Sequence, residues 1–160
     1  MKSSTVLVIF MVLAVWSPGY GRIGETLEEC IARYGEIDSE SEVDGRQAQV
    51  FKKSGYIIAV YFYEKKADWV TFLKEEKDDL GFASEISDNE IEILLKSNSD
   101  DTPWKPIEII SLDKHWVTTD KRLLSMYTFL GNTLSIYTTD CFYRLTAKIK
   151  ADEEKSLDGF

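Results

Sequence analysis

Apolar positions along this chain follow three different rhythms, and each predicts a different kind of element. The first is an unbroken run, residues 6–16, preceded by a short segment with one positive charge at Lys2. The second is helical. Leu27, Cys30, Ile31 and Tyr34 stand at i, i+3, i+4 and i+7, a single stripe on an amphipathic helix. Thr26-Leu27-Glu28-Glu29 is a capping box, in which the Thr26 hydroxyl and the Glu29 carboxylate satisfy each other's backbone N–H groups. Gly35 supplies the left-handed residue that ends such a helix. Ser87-Asp88-Asn89-Glu90 repeats the device: Ile86 and Ile91 are spaced as a hydrophobic staple, Ile91, Leu94 and Leu95 form the stripe, and Asn98 is the closing residue.

The third rhythm is that of strands. Residues 49–53, 56–63 and 67–73 are rich in aromatic and β-branched side chains and are separated by Ser54-Gly55 and Glu64-Lys65-Lys66, so they predict a three-stranded meander. Residues 36–47, 74–79 and 100–103 are polar and read as loops. Further strands are expected at 107–112, 116–118, 123–129, 133–138 and 142–149, with Gly131-Asn132 as a tight hairpin turn. Helix, meander, helix, meander is an α+β order: two short helices packed on one face of antiparallel β-meanders. It suggests a duplicated α-β-β-β unit of about seventy residues. A small outer-membrane barrel has a similar strand count. It fails because residues 151–160 are too polar for a lipid-facing strand and the two capped helices have no place in it.

The opening run fixes the expected location. Eleven apolar residues are too few to span ~30 Å of hydrocarbon, and Gly19 and Gly21 suit a signal peptidase. Residues 1–21 are therefore expected to be a cleaved signal peptide and residues 22–150 a single α+β domain. Residues 151–160 are expected to be a flexible acidic tail. The protein is expected to be exported, periplasmic or extracellular, with no membrane attachment after cleavage.

Charge narrows the partners. The chain carries 19 Lys and Arg against 28 Asp and Glu, a net charge of −9; removing Lys2 with the leader leaves 18 against 28, or −10. Such a surface repels nucleic acid and anionic lipid. Cys30 and Cys141 are the two cysteines. In an oxidising compartment they invite a disulfide. Separate burial as small apolar thiols is preferred, because nothing in the sequence brings their Cα atoms within the ~7 Å a bridge requires.

Catalytic and metal chemistry is sparse. His115 is the single histidine and has no G-x-S-x-G elbow to serve. One histidine and two distant cysteines do not make a zinc site. The acidic stretch Asp38 to Gly45 puts its glycine at the eighth position, where a calcium loop of the EF-hand type needs it at the sixth. There is no phosphate-cradling motif, and no cofactor is expected. The aromatic residues Trp69, Trp104, Trp116, Tyr56, Tyr61, Tyr63, Tyr127 and Tyr137 chiefly fill the core and cover the sheet. Trp104, Trp116 and Tyr127 are the candidates for a binding face, since Trp and Tyr carry interface energy.

Three blocks carry a resemblance. They are residues 26–35, residues 86–98 with Trp104 after them, and Trp116-Val117-Thr118-Thr119-Asp120 followed by Tyr127 and Leu134-Ser135-Ile136-Tyr137-Thr138. In this order they resemble uncharacterised short secreted proteins of Verrucomicrobia-like bacteria. The resemblance implies export and brings no catalytic or binding residues with it. In architecture, a capped helix followed by a meander is similar to the small outer-membrane assembly lipoproteins and to the β-lactamase inhibitory protein, which are binding modules. The sequence thus points to a non-enzymatic exported protein that binds an unknown protein or small ligand. The alternative is a small secreted hydrolase using acidic residues. Export with cleavage predicts an intact mass for the secreted form that starts at or near Arg22. A mass that includes residues 1–21 would show a retained leader.

Overall fold

A computed structural model describes residues 23–43 and 45–157. The expected signal peptide, residues 1–21, lies outside the described residues. Among the described residues, three helices and one antiparallel sheet make up a fold of the α+β class. Helix α1 (Leu27–Tyr34) precedes strands β1 (Ser39–Val43), β2 (Arg46–Lys53), β3 (Tyr56–Tyr63) and β4 (Lys66–Lys74). Helix α2 (Asp88–Ser97) precedes β5 (Trp104–Ile107), β6 (Lys114–Thr118), β7 (Leu123–Thr128) and β8 (Thr133–Thr138), and α3 (Thr139–Leu157) is the last described element. The repeating unit is therefore one helix and four strands.

Both capping boxes form. Thr26 N–H donates to Glu29 Oε2 at 2.7 Å and Glu29 N–H to Thr26 Oγ1 at 3.2 Å. In α2, Ser87 N–H donates to Glu90 Oε2 at 2.8 Å. Gly35 ends α1 at a φ of 100°, a region open to glycine. Asn98 ends α2 differently from the expected left-handed cap. Its φ is −103°, and its side-chain amide donates to the Leu94 carbonyl at 2.8 Å.

Two meanders join into one eight-stranded sheet of order β1-β2-β3-β4-β8-β7-β6-β5. The last strands of the two halves, β4 and β8, are neighbours, so the order reads the same way from either edge. Val70 opposes Ile136 and Phe72 opposes Leu134 across this seam. These four side chains are buried together with Phe51, Ile58 and Val60 beneath α1 and α2. Tyr34 of α1 packs on Phe51 with ring centroids 5.3 Å apart, while Ile91, Leu94 and Leu95 seat α2.

Three expectations are corrected. Residues 39–43, read as part of a loop, form edge strand β1: Glu40 pairs with Gln49 and Glu42 with Gln47. A strand with every residue exposed has no apolar alternation to reveal it. The strand expected at 107–112 forms earlier, as β5. Residues 142–149, read as the last strand, and residues 151–157, read as a tail, belong to the continuous helix α3. The boundary drawn at residue 150 falls inside it. The sheet-facing positions of α3 include Cys141 and Arg144, a partly polar stripe that a search for apolar spacing does not find.

Helix α3 lies on the sheet face opposite α1 and α2. Phe142 stacks on Tyr137 with centroids 5.8 Å apart. Trp69 pairs with Tyr137 and Tyr61 in the sheet and stacks on Tyr61 at 4.0 Å. Beneath the helix, Asp68 Oδ2 takes Arg144 and Arg46, the latter at 3.4 Å, and Arg46 also donates to Cys141 Sγ at 3.1 Å. The Arg144 guanidinium lies over the Tyr63 ring, 3.8 Å from its centroid. Cys30 belongs to the core under α1, so the sheet separates it from Cys141, and both are buried free thiols.

Truncating Leu94, 6% exposed under α2, to alanine is expected to destabilise the fold by ~2–5 kcal/mol in urea unfolding. A change within about 0.5 kcal/mol would place this helix face outside the core.

Candidate functional site

Helix α2 is pinned at both ends, and the pins leave a groove beside it. At its N-terminus, Glu90 accepts from the Tyr56 hydroxyl at 2.9 Å and pairs with Lys74 at 3.0 Å. One residue pair further out, Asp88 meets Lys114 of β6 at 2.5 Å. At its C-terminus, the Trp104 indole N–H donates to the Leu95 carbonyl at 2.7 Å. The helix covers the centre of the sheet, whereas β5 and β6 extend past it to the edge. What remains is an open groove of about 680 Å³ between α2 and these two strands.

Trp104, Pro106 and Trp116 form the floor, and Ile91 and Leu95 form the apolar part of the wall. Cross-strand pairing explains the floor. Trp104 opposes Thr118, and Pro106 opposes Trp116, so both tryptophans point to the helix side. The indole N–H of Trp104 is already used inside the protein, which leaves its ring for apolar contact. Lys96 and Lys114 stand at the groove with Asp88, Glu92 and Asp101. An apolar floor with a few charged groups at the margin is the usual make-up of a ligand cleft.

Two of the three aromatic candidates thus come together. Tyr127 lies on the same sheet face, but it is only 1% exposed and its hydroxyl donates to Asn132 at 3.2 Å. It is a core residue and not part of the groove surface. Sequence reasoning did not find the opposing wall, because Leu95 looks like any other stripe residue until the helix position is known.

The groups with catalytic potential are placed elsewhere. His115 projects from the other face of β6, between Ile107 and Met126 of the neighbouring strands. Burial, reinforced by Glu25, pushes the Cys30 thiol up to about 12. Burial also raises Cys141, against the opposing hydrogen bond from Arg46. Neither is poised as a thiolate. Among the described residues, Asp68 is the one buried carboxylate, and it faces two arginines. Also among the described residues, no three His, Cys, Asp or Glu side chains gather where a metal could sit. No helix among them is long and apolar enough to cross a membrane.

No protein-family model matches the chain, and no curated protein matches it. Among solved structures it is similar to a cysteine-rich secretory protein from Staphylococcus aureus, at 12% identity and a TM-score of 0.41. That overlap covers 74% of this chain and 45% of the other. It is also similar to an extracellular protein containing an SCP domain from Bacillus anthracis, at 11% identity and a TM-score of 0.43. There the overlap covers 90% of this chain and 51% of the other, so the chain spans about half the length of these structures.

The anchor at Glu90 titrates. Partial burial opposes its ionisation, but hydrogen bonds from Ser87, Lys74 and Tyr56 outweigh that and hold its carboxyl down at about 2. An unfolded glutamate titrates near ~4.3. The folded value is lower, so this contribution is complete above the unfolded value and is lost as pH falls through the folded one. Wild type should therefore lose urea stability between about pH 5 and 2 more steeply than Glu90→Gln. Parallel pH profiles for the two proteins would show that Glu90 does not anchor α2.

Proposed function

We propose that this protein is an exported, non-enzymatic binding module that takes an aromatic or aliphatic group into the groove between α2 and strands β5 and β6. The observation that carries the reading is the pair Trp104 and Trp116, laid side by side as the floor of a cleft of about 680 Å³. That volume falls in the ~300–1,000 Å³ range of small-molecule sites. The ligand is a small apolar molecule or an apolar side chain offered by a partner protein. With Lys114 paired to Asp88, the margin keeps Glu92 and Asp101 against Lys96, so recognition rests on the apolar floor rather than on an anionic group of the ligand.

Export rests on the apolar run at 6–16 followed by small residues. The non-enzymatic reading is supported by the surroundings of the reactive groups. The thiols are buried and protonated at neutral pH, and Asp68 is held between arginines. A hydrolase using acidic residues needs a second carboxylate converging with the first in a cleft, and Asp68 has arginines in that position.

The probe for this reading is 8-anilinonaphthalene-1-sulfonate, an aromatic anion, followed by its own fluorescence and by tryptophan quenching. One saturable site is expected, with affinity reduced about tenfold or more in Trp116→Ala, a loss of about 1.4 kcal/mol or more. A milder loss is expected in Lys96→Glu, which adds repulsion toward this anionic probe without touching the floor. Equal affinity in wild type and both variants would place the site elsewhere.

A further inference from the structure

At one end of the sheet three loops carry between them a cluster of bare apolar side chains. The loop between β4 and α2 exposes Leu80 (81%) and Phe82 (60%). The loop between β5 and β6 exposes Ile109, Ile110 and Leu112, the last at 82%. The β7–β8 turn exposes Phe129 (52%) and Leu130 (88%). Strand directions put all three at the same end, because β4 and β7 finish there while β6 and β8 begin there.

These loops are tied to one another. The Asn132 side-chain amide donates to the Ala83 carbonyl at 2.7 Å, which joins the β7–β8 turn to the β4–α2 loop. Phe129 N–H donates to Asp113 Oδ1 at 3.1 Å, which joins the same turn to the β5–β6 loop. Within the β4–α2 loop, Asp78 Oδ1 accepts from both Leu80 and Phe82 N–H at 2.9 Å, and Lys77 bridges to Ala83. The apolar side chains are thus held out by a hydrogen-bonded frame. Large apolar residues scattered singly on a surface are ordinary, but a contiguous group marks an interaction site.

Charge identifies what would cover it. Residues 75–86, 108–113 and 129–132 contain Glu75, Glu76, Asp78, Asp79, Glu85, Glu108 and Asp113 against Lys77 alone. Lys74, Lys114 and Lys52, which flank these loops, are already paired with Glu90, Asp88 and Asp38. An apolar centre inside an acidic margin repels anionic lipid and repels a second copy of itself. The first described residues lie at the opposite end of the sheet, where Gly24 N–H donates to the Ala67 carbonyl at 2.7 Å. We infer that this loop end is a docking surface for a partner protein that presents apolar side chains bordered by lysine and arginine. The inference is independent of the Trp104–Trp116 groove and stands if that groove binds nothing.

Two synthetic amphipathic helical peptides test it. They share the same leucine positions; one carries Lys and Arg at its polar positions and the other carries Glu. Calorimetric titration of the basic peptide should give saturable binding, with amide chemical-shift changes confined to the three loops. Leu80→Ser/Ile110→Ser/Leu130→Ser keeps every carboxylate and should weaken binding about tenfold or more, or about 1.4 kcal/mol. Glu75→Gln/Glu76→Gln/Glu108→Gln keeps the apolar side chains and should weaken binding and flatten its salt dependence. Ile31→Ser/Ile93→Ser, exposed on the helices, should bind as wild type. Thermal melts confirm that each variant is folded.

No binding of the basic peptide, or equal binding by the serine triple variant, would overturn the inference. So would equal binding of the acidic peptide. Sedimentation showing self-association that the triple variant abolishes would assign the surface to a second copy instead. Co-flotation with phosphatidylcholine–phosphatidylglycerol vesicles, lost in the same variant, would assign it to a membrane.

Discussion

The pairing of β4 with β8 is the constraint on which the rest of the structure depends. Trp69 to Phe72 align with Tyr137 to Leu134, and Thr71 Oγ1 lies 3.1 Å from Ser135 Oγ across the seam. Neither meander has a complete core of its own. Phe51, Ile58 and Val60 come from one half and Leu134, Ile136 and Tyr127 from the other, and they become one cluster only once this seam closes. The seam also lies under both helical layers. Val70 and Ile136 face α1 and α2, whereas Trp69 and Tyr137 face α3. A change at this pairing would be felt on both sides of the sheet, because successive residues of a strand point to opposite faces.

What could be read from the chain was local chemistry with a fixed spacing. Thr26 with Glu29, and Ser87 with Glu90, announced two helix starts, because the capping box needs those residue types three apart. Aromatic and β-branched runs announced β3 and β4. Elements whose residues depend on distant partners were not legible. Strand β1 is Ser-Glu-Ser-Glu-Val, polar at nearly every position, and it exists because β2 offers it a free edge. Helix α3 turns Cys141 and Arg144 inward to meet Arg46, Asp68 and Tyr63. Its aromatic and β-branched start resembles a strand until those partners are in place.

The same division holds for the surfaces. Trp104 and Trp116 stood out by residue type, and cross-strand pairing brought them to one floor. Tyr127 stood out equally but lies one strand further in, under the core. The loop end was hidden for a different reason. Leu80, Ile110 and Leu130 are far apart in sequence, and each alone looks like an unremarkable apolar residue in a polar segment. Only the strand directions bring the three loops together.

The symmetric strand order has a consequence for how this sheet meets its neighbours. With β4 and β8 locked in the middle, the free rims are β1 and β5, and each is guarded in its own way. Alternate positions of β1 carry Glu40 and Glu42, so a strand approaching that rim meets a row of carboxylates. The other rim is only four residues long and contains Pro106, which has no N–H to offer. Short or charged rims with proline discourage the addition of a foreign strand. The sheet can therefore stay open at both sides without growing into a fibre, and any visitor is turned toward its faces and loop ends.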